Sequence, residues 1–322
     1  MPGRRTIGVD MGGTKLLAGA VDSGLSVHHR VQRSMSRLDQ SYLLDVVVEA
    51  VEEARAGAGG EIDAIGFGIP SLIDQRTGNA VIAVNLPLKD IVFADVMSER
   101  LGVPVFVDND GNATALAEHR AGAARGADDA LVLTVGTGIG GGLVLRGELY
   151  RGAIGFGAEL GHTVIDLDGP PCQGNCPNRG CVEALASGTA LAREARRIAG
   201  ERPDSRLGAA LAAGHLLAGP LVTELAHDGD EAALEALTLI GTRLGVAISS
   251  FVNIFNPQVV VIGGGVIGAG ELLLAPVRAE VAARALPPPR DQVRIAGAAF
   301  GVEAGMIGAA VLAFDGLAAR ES

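Results

Sequence analysis

One pattern occurs twice in this chain, and the repetition constrains its fold more than any other feature. Residues 9–20 and 135–146 each read as an apolar strand, a turn of Gly with Thr, and a second apolar strand. In the first copy, T-I-G-V-D leads into Met11-Gly12-Gly13-Thr14-Lys15 and returns as L-L-A-G-A-V-D. In the second, the run from Asp129 to Arg146 is D-A-L-V-L-T-V-G-T-G-I-G-G-G-L-V-L-R. Glycine turns expose backbone N–H groups that can cradle a phosphate. Thr14 and Lys15 stand beside the first turn, and Asp10 at its strand end suits a hydrated magnesium ion. A plain β-hairpin uses the same glycines, so one turn alone does not decide. Two such hairpins point to duplicated α/β domains facing each other across one phosphate chain.

A second stretch is defined by its chemistry. The three cysteines of the chain, Cys172, Cys176 and Cys181, fall within ten residues, and His162 lies ten positions before the first. Zinc takes four N/S ligands in a tetrahedron, which three thiolates and one imidazole supply. Gly174, Pro177 and Gly180 let the chain wrap tightly around one ion. Unrelated buried thiols are a poor alternative when no cysteine occurs elsewhere. Glu159 and Glu183 flank the cluster as carboxylates the metal does not need, so a structural zinc would hold them with His162 as a rigid polar wall.

A chain of 322 residues accommodates two domains of ordinary size. Hydrophobic residues make up 48%, but aromatics only 3% and Trp is absent, so the cores must be built from Ala, Val, Leu and Ile. The net charge is 26 − 37 = −11, which argues against nucleic acid or an anionic membrane as partner. The opening M-P-G-R-R-T-I-G-V-D enters a strand without an apolar signal region, and no uninterrupted apolar run of about 20 residues follows. Cysteines clustered for metal are not a disulfide scaffold. The expectation is a cytoplasmic protein.

Along the rest of the chain, residues 42–56 form an amphipathic helix with Glu49, Glu52 and Glu53 on its solvated face. Residues 62–70 read as a strand entering a Pro-Ser turn, and Asn85-Leu86-Pro87 as a loop after a short strand near 80–84. A strand at 103–108 ends in Asp108-Asn109-Asp110-Gly111-Asn112, followed by a helix from about Ala113 to Ala123 with Asn112 as its cap. Those acids and amides suit a catalytic base among hydroxyl-binding groups, although an ordinary strand-to-helix turn favours the same residues. After the cysteines come a helix at 187–200, a looser polar connection at 201–230 with His215 and His227 on the surface, and a helix at 231–255. The strand Q-V-V-V-I then runs into Gly263-Gly264-Gly265. That run lacks the G-x-G-x-x-G spacing of a dinucleotide fold and reads as a glycine turn against the adenine side of a nucleotide. A last strand at 293–297 precedes an Ala/Gly-rich helix at 301–314, expected to pack back on the first domain.

Taken together, V-D-M-G-G-T-K, V-D-N-D-G-N-A-T-A-L-A-E, T-V-G-T-G-I-G-G-G, E-L-G-H, G-C-V-E and V-V-V-I-G-G-G resemble the ROK family of sugar kinases and repressors, in family order and over nearly the whole chain. The resemblance implies the α/β fold of the actin-like ATPase superfamily, two ribonuclease H-like domains with a cleft between them. The N-terminal domain would comprise 1–120 with about 300–322, and the C-terminal domain 121–299 with the zinc-binding loop. In this family the E-L-G-H…C…G-C-x-E stretch binds zinc and helps form the sugar site. Many members have C-x-C-x4-C, whereas Cys172-x3-Cys176-x4-Cys181 is two residues longer with the ligand count preserved. The family's repressors carry a helix-turn-helix domain ahead of the D-M-G-G-T turn; with that turn starting at Asp10, the expectation is a kinase.

By resemblance, Asp110 is the general base for the sugar's primary hydroxyl. Asn109, Glu159, His162 and Glu183 would bind sugar hydroxyls, His162 with one ring nitrogen on zinc and the other for a hydroxyl. Asn85, Gly68, Pro70 and Ser71 would complete the pocket. Gly12, Gly13, Thr14, Lys15, Thr134, Gly136, Thr137 and Gly138 would hold the phosphates of ATP, with Gly264 and Gly265 near the adenosine. Magnesium would bridge the phosphates, through water to Asp10, and the zinc on His162, Cys172, Cys176 and Cys181 would be structural. The stretch G-I-P-S-L-I-D…G-N-A-V…N-L-P resembles the family's glucokinases, usually close to G-x-P-G-x-V-D…N-L, with Ser71 in place of Gly. Glucose is therefore the expected acceptor. Mannose, fructose, N-acetylglucosamine and N-acetylmannosamine are alternative sugars, polyphosphate is an alternative donor, and a non-catalytic sugar sensor is the competing class. The resemblance further implies a homodimer or homotetramer.

Overall fold

The first repeat folds as an antiparallel hairpin, β1 (Arg5–Met11) with β2 (Lys15–Asp22), Met11 standing opposite Leu16 across the turn. The computed structural model describes residues 3–13, 15–35, 39–74, 79–83, 86–88 and 91–321. The chain is α/β and divides into two units. One comprises Met1–Gly126, Gly142–Ala158 and Ala299–Ser322, the other Ala127–Gly141 and Glu159–Ala298.

In the first unit, β3 (Val27–Ser34), α1 (Gln40–Gly57), β4 (Ala64–Ile69), β5 (Ser71–Asp74), β6 (Asn79–Ala83), α2 (Phe93–Leu101), β7 (Val105–Asn109) and α3 (Asp110–Ala121) follow the hairpin. The sheet order is β3-β2-β1-β4-β7, with β1, β4 and β7 parallel, while β5 and β6 pair by themselves. Asp39 caps α1, its carboxylate accepting from Tyr42 N at 2.9 Å. The helix buries Leu43, Val47, Ala50, Val51 and Ala54, and leaves Glu49, Glu52 and Glu53 exposed. The aromatic content of this core is small, and Phe67 meets Phe93 edge to face at 5.1 Å.

The second repeat gives β8 (Ala130–Val135) and β9 (Ile139–Leu145), followed by β10 (Glu148–Leu149). Beyond the cysteines run α4 (Val182–Ala186), α5 (Gly188–Glu201), α6 (Arg206–Ala212), α7 (Gly219–His227), α8 (Glu231–Phe255), β11 (Val259–Gly263), α9 (Glu271–Arg284), α10 (Pro289–Gln292), β12 (Arg294–Gly297) and α11 (Ala304–Glu321). The second sheet has the order β10-β9-β8-β11-β12, with β8, β11 and β12 parallel. The connection expected at 201–230 is a correction: it holds α6 and α7. Each is under three turns long, too few periods for a hydrophobic stripe to register in sequence. Helices α8 and α11 are long and apolar enough to cross a membrane by length and composition alone, but bury their apolar faces within the protein.

Helix α11 lies on β1 and β4 at backbone contact. A Cβ added to Gly66 would sit 1.7 Å from Ala309 O, and one on Gly8 would sit 1.8 Å from Met306 O. Only residues without side chains permit that approach, and it brings the start of α11 against the C-terminal ends of the strands.

Candidate active site and metal centre

Ligands of parallel sheets bind beyond the carboxyl ends of the strands. In the first unit these ends share one level, since the register pairs Asp10 with Gly68 and Gly68 with Asp108. Asp108 is 1% exposed and fully engaged. Its Oδ2 accepts from Arg151 Nε at 2.7 Å, and its Oδ1 from Asn109 N at 2.8 Å and Asn112 Nδ2 at 2.9 Å. Asn109, in extended backbone, caps α3 by accepting from Gly111 N at 2.8 Å and Asn112 N at 3.3 Å. This corrects the expected cap at Asn112 and starts the helix at Asp110 rather than Ala113. Asn112 instead lies buried in the first turn, tied to Asp108, with its Oδ1 unpartnered among the described residues. The capping duty leaves Asn109 only its Nδ2, 3.5 Å from Ser71 O, to offer a ligand.

Asp110 is the first residue of α3. Its Oδ1 accepts from Gly111 N at 2.9 Å, and no described residue bonds to Oδ2. Burial raises its carboxyl above the ordinary range, opposed by the Gly111 amide. Asp10 is pushed up to about 7, first by burial and then by the neighbouring Asp110 charge, with Lys15 pulling the other way. A carboxyl whose charge is opposed by burial and by a second carboxylate makes a place for a cation or a transferable proton. Beside them the hairpin turn closes with Gly12 N donating to Lys15 O at 2.8 Å. Gly13 and Lys15 are exposed. Asp10, Gly12, Lys15, Arg30, Gln32 and Glu303 line an open depression of about 220 Å³. Pro70 is half-buried and Ser71 is 3% exposed, so the serine hydroxyl lies inside the protein. Thr14 and Asn85 lie outside the described residues.

In the second unit, the β8–β9 turn presents Thr137 at its tip, closed by Gly136 N donating to Gly138 O at 2.9 Å. Thr134 pairs with Gly263, which brings Gly264 and Gly265 beside this turn. The N-terminus of α5 fastens the turn from below: Gly188 N donates to Gly136 O at 2.7 Å and Thr189 Oγ1 to Thr137 O at 2.8 Å. Ser187 caps that helix. Glu183 commits its Oε2 to Ile139 N at 2.8 Å, and its Oε1 lies 3.7 Å from Cys172 Sγ, against the cysteine cluster. Glu159 is exposed just ahead of His162.

The same unit assembles four candidate metal donors. His162 Nδ1 lies 3.5 Å from Cys172 Sγ, Cys176 Sγ lies 3.9 Å from Cys181 Sγ, and all four ligand atoms fall within 4.8 Å of one another. With Zn–S of ~2.3 Å and Zn–N of ~2.0–2.1 Å, a tetrahedron has edges of about 3.8 Å for S–S and about 3.5 Å for N–S. The donor set fits zinc, with His162 Nε2 left outside it. The loop that gathers the donors needs glycine at 180, where φ is +62° and a Cβ would sit 1.6 Å from Asp166 O. Burial, then the Cys181 and Cys176 thiols, hold Cys172 well above the ordinary thiol range. A cation is what would let these thiolates form together.

Two contacts were invisible in sequence. Arg151 and Thr189 act across long separations, and S-G-T at 187–189 signals a helix cap, which Ser187 supplies, but not the bond from Thr189 to the turn.

Residues 6–315 match the ROK family. The chain is 35% identical to a glucokinase of Thermotoga maritima, over 96% of this chain and 97% of that one. It is 30% identical to a xylose repressor of Bacillus spizizenii, over 88% of this chain and 69% of the repressor. A solved ROK family glucokinase from Streptomyces griseus, in complex with glucose and AMPPNP, is similar with a TM-score of 0.86 at 33% identity, over 97% of this chain and 99% of that one.

Proposed function

The chain belongs to the ROK family, and from that premise we infer that it is an ATP-dependent hexokinase acting on the 6-hydroxyl of glucose. Asp110 carries the reading: a carboxylate at a helix N-terminus, with one oxygen held by Gly111 N and the other open. Asp110 Oδ2 accepts the hydroxyl proton as the sugar oxygen bonds to the γ-phosphorus and the bond to the β-phosphate oxygen breaks, releasing ADP. Glucose as acceptor is supported by the 35% identity to a glucokinase and by the likeness to one that holds glucose.

The residues then divide as follows. Asn109 Nδ2, Glu159, His162 Nε2 and Glu183 Oε1 bind sugar hydroxyls, with Asn85, Gly68, Pro70 and Ser71 around them. Gly12, Gly13, Thr14, Lys15, Thr134, Gly136, Thr137 and Gly138 hold phosphates, and Gly264 and Gly265 flank the adenosine. Asp10 would hold a hydrated Mg²⁺, which neutralises phosphate charge. His162, Cys172, Cys176 and Cys181 would hold a structural Zn²⁺. With an ion held there, His162 and its loop would be fixed, while the ring would keep one nitrogen for a hydroxyl.

The test is coupled ADP release with MgATP against glucose, mannose, fructose, N-acetylglucosamine and N-acetylmannosamine. Preference for glucose is expected. Turnover confined to another hexose would overturn the acceptor while keeping the kinase. Glucose binding without turnover would replace the enzyme with a sugar sensor.

A further inference from the structure

Gln173 follows directly on the metal donor Cys172, in the Cys172–Cys176 spacing that is two residues longer than C-x-C. Its side chain does not join the donors. Nε2 donates to Thr137 O at 3.3 Å and to Ser187 Oγ at 3.2 Å. Ser187 Oγ in turn accepts from Ala190 N at 3.2 Å as the cap of α5. One amide therefore touches the tip of the glycine turn and the helix cap beneath it, from a residue bonded covalently to a metal donor.

The Thr137 carbonyl accepts from both Thr189 Oγ1 at 2.8 Å and Gln173 Nε2. Two donors on one carbonyl fix the plane of its peptide. In a trans peptide the N–H of the next residue points opposite to that carbonyl. Fixing Thr137 O toward α5 and Gln173 therefore aims Gly138 N–H away from them, and no described residue accepts from it. An N–H so aimed is what an anion at this turn would meet.

We propose that Gln173 is a positioning residue that couples the order of the metal loop to the nucleotide-phosphate turn. The ion holds Cys172, Cys172 holds Gln173, and Gln173 holds the Thr137–Gly138 peptide in its anion-binding orientation. The two extra residues of the first cysteine spacing supply the reach. This inference rests on the assignment of the β8–β9 turn to ATP phosphates.

The test uses the full chain, loaded with zinc, as wild type and as Gln173→Ala and Gln173→Met. Magnesium AMPPNP binding is measured by calorimetry without sugar, alongside zinc content per chain and the KM for sugar. Losing a hydrogen bond of this kind should raise the AMPPNP Kd roughly threefold to tenfold in both variants, leaving zinc content and sugar KM within about twofold. Stripping zinc from the wild type should weaken AMPPNP binding over the same range, and stripping Gln173→Ala should add little more. An unchanged AMPPNP Kd in both variants overturns the coupling while leaving the kinase assignment intact. A fall in zinc content or sugar affinity without a change for AMPPNP overturns it too, since Gln173 would then serve only the metal loop. Failure of the wild type to bind AMPPNP overturns the nucleotide assignment and the coupling together.

Discussion

Replacing Asp110 by Asn isolates the proton transfer proposed for it from the other bonds this residue makes. The amide keeps the side-chain shape and an oxygen to accept from Gly111 N, the 2.9 Å bond that seats the residue on α3. It removes the open carboxylate oxygen. General-base catalysis contributes about 10²- to 10⁴-fold, so kcat should fall by that range, roughly 3–5.5 kcal/mol of transition-state stabilisation. Stability should barely move. Loss of a charge at the helix N-terminus costs about 0.3–1 kcal/mol, but the same change removes the burial penalty that raises this carboxyl. The assay is ADP release with saturating glucose, beside glucose binding by calorimetry and a thermal melt. Retained binding and melting temperature with a kcat within tenfold of wild type would refute Asp110 as the base.

Asp10 titrates near 7 when folded and near the ordinary carboxylate value of about 4 when unfolded. The unfolded chain therefore releases this proton first, and stability on this account falls as pH rises between those values. Asp10→Asn should raise Tm over wild type at pH 8, with the gain vanishing at pH 4; a pH-independent difference would sink the argument. Metal analysis should find one zinc per chain, and Cys181→Ser, at a fully buried donor, should lose it and lower Tm. Wild type of full stability with no bound metal would refute the zinc centre.

What the sequence revealed was local. The long helix α8 begins after Asp230, which caps it, and ends at Asn256 in a left-handed conformation before Pro257; both signals lie within the helix's own ends. The four candidate donors, gathered within 4.8 Å of one another, lie close in the chain, so spacing was enough to group them. The cap of α3 was misread because D-N-D-G-N offers several capping side chains in five residues. The choice falls to the sheet, whose register carries β7 as far as Asn109 opposite Ile69. Glu183 on Ile139 N and Arg151 on Asp108 span more than forty residues each, and no local pattern encodes such pairs. Edge strand β3 was missed for another reason: its burial alternates, but in V-H-H-R-V-Q-R-S only Val27 and Val31 are apolar, too few to show a period of two.

The glycine faces of β1 and β4 are shaped for the backbone of α11, yet residues 127–298 are synthesised before that helix exists. On the ribosome the second unit has all its residues while the first still has an uncovered sheet. Domains usually mature in the order in which they emerge. Here the order inverts: the unit begun first is finished last, and its exposed strands wait through more than half the chain for the helix that covers them.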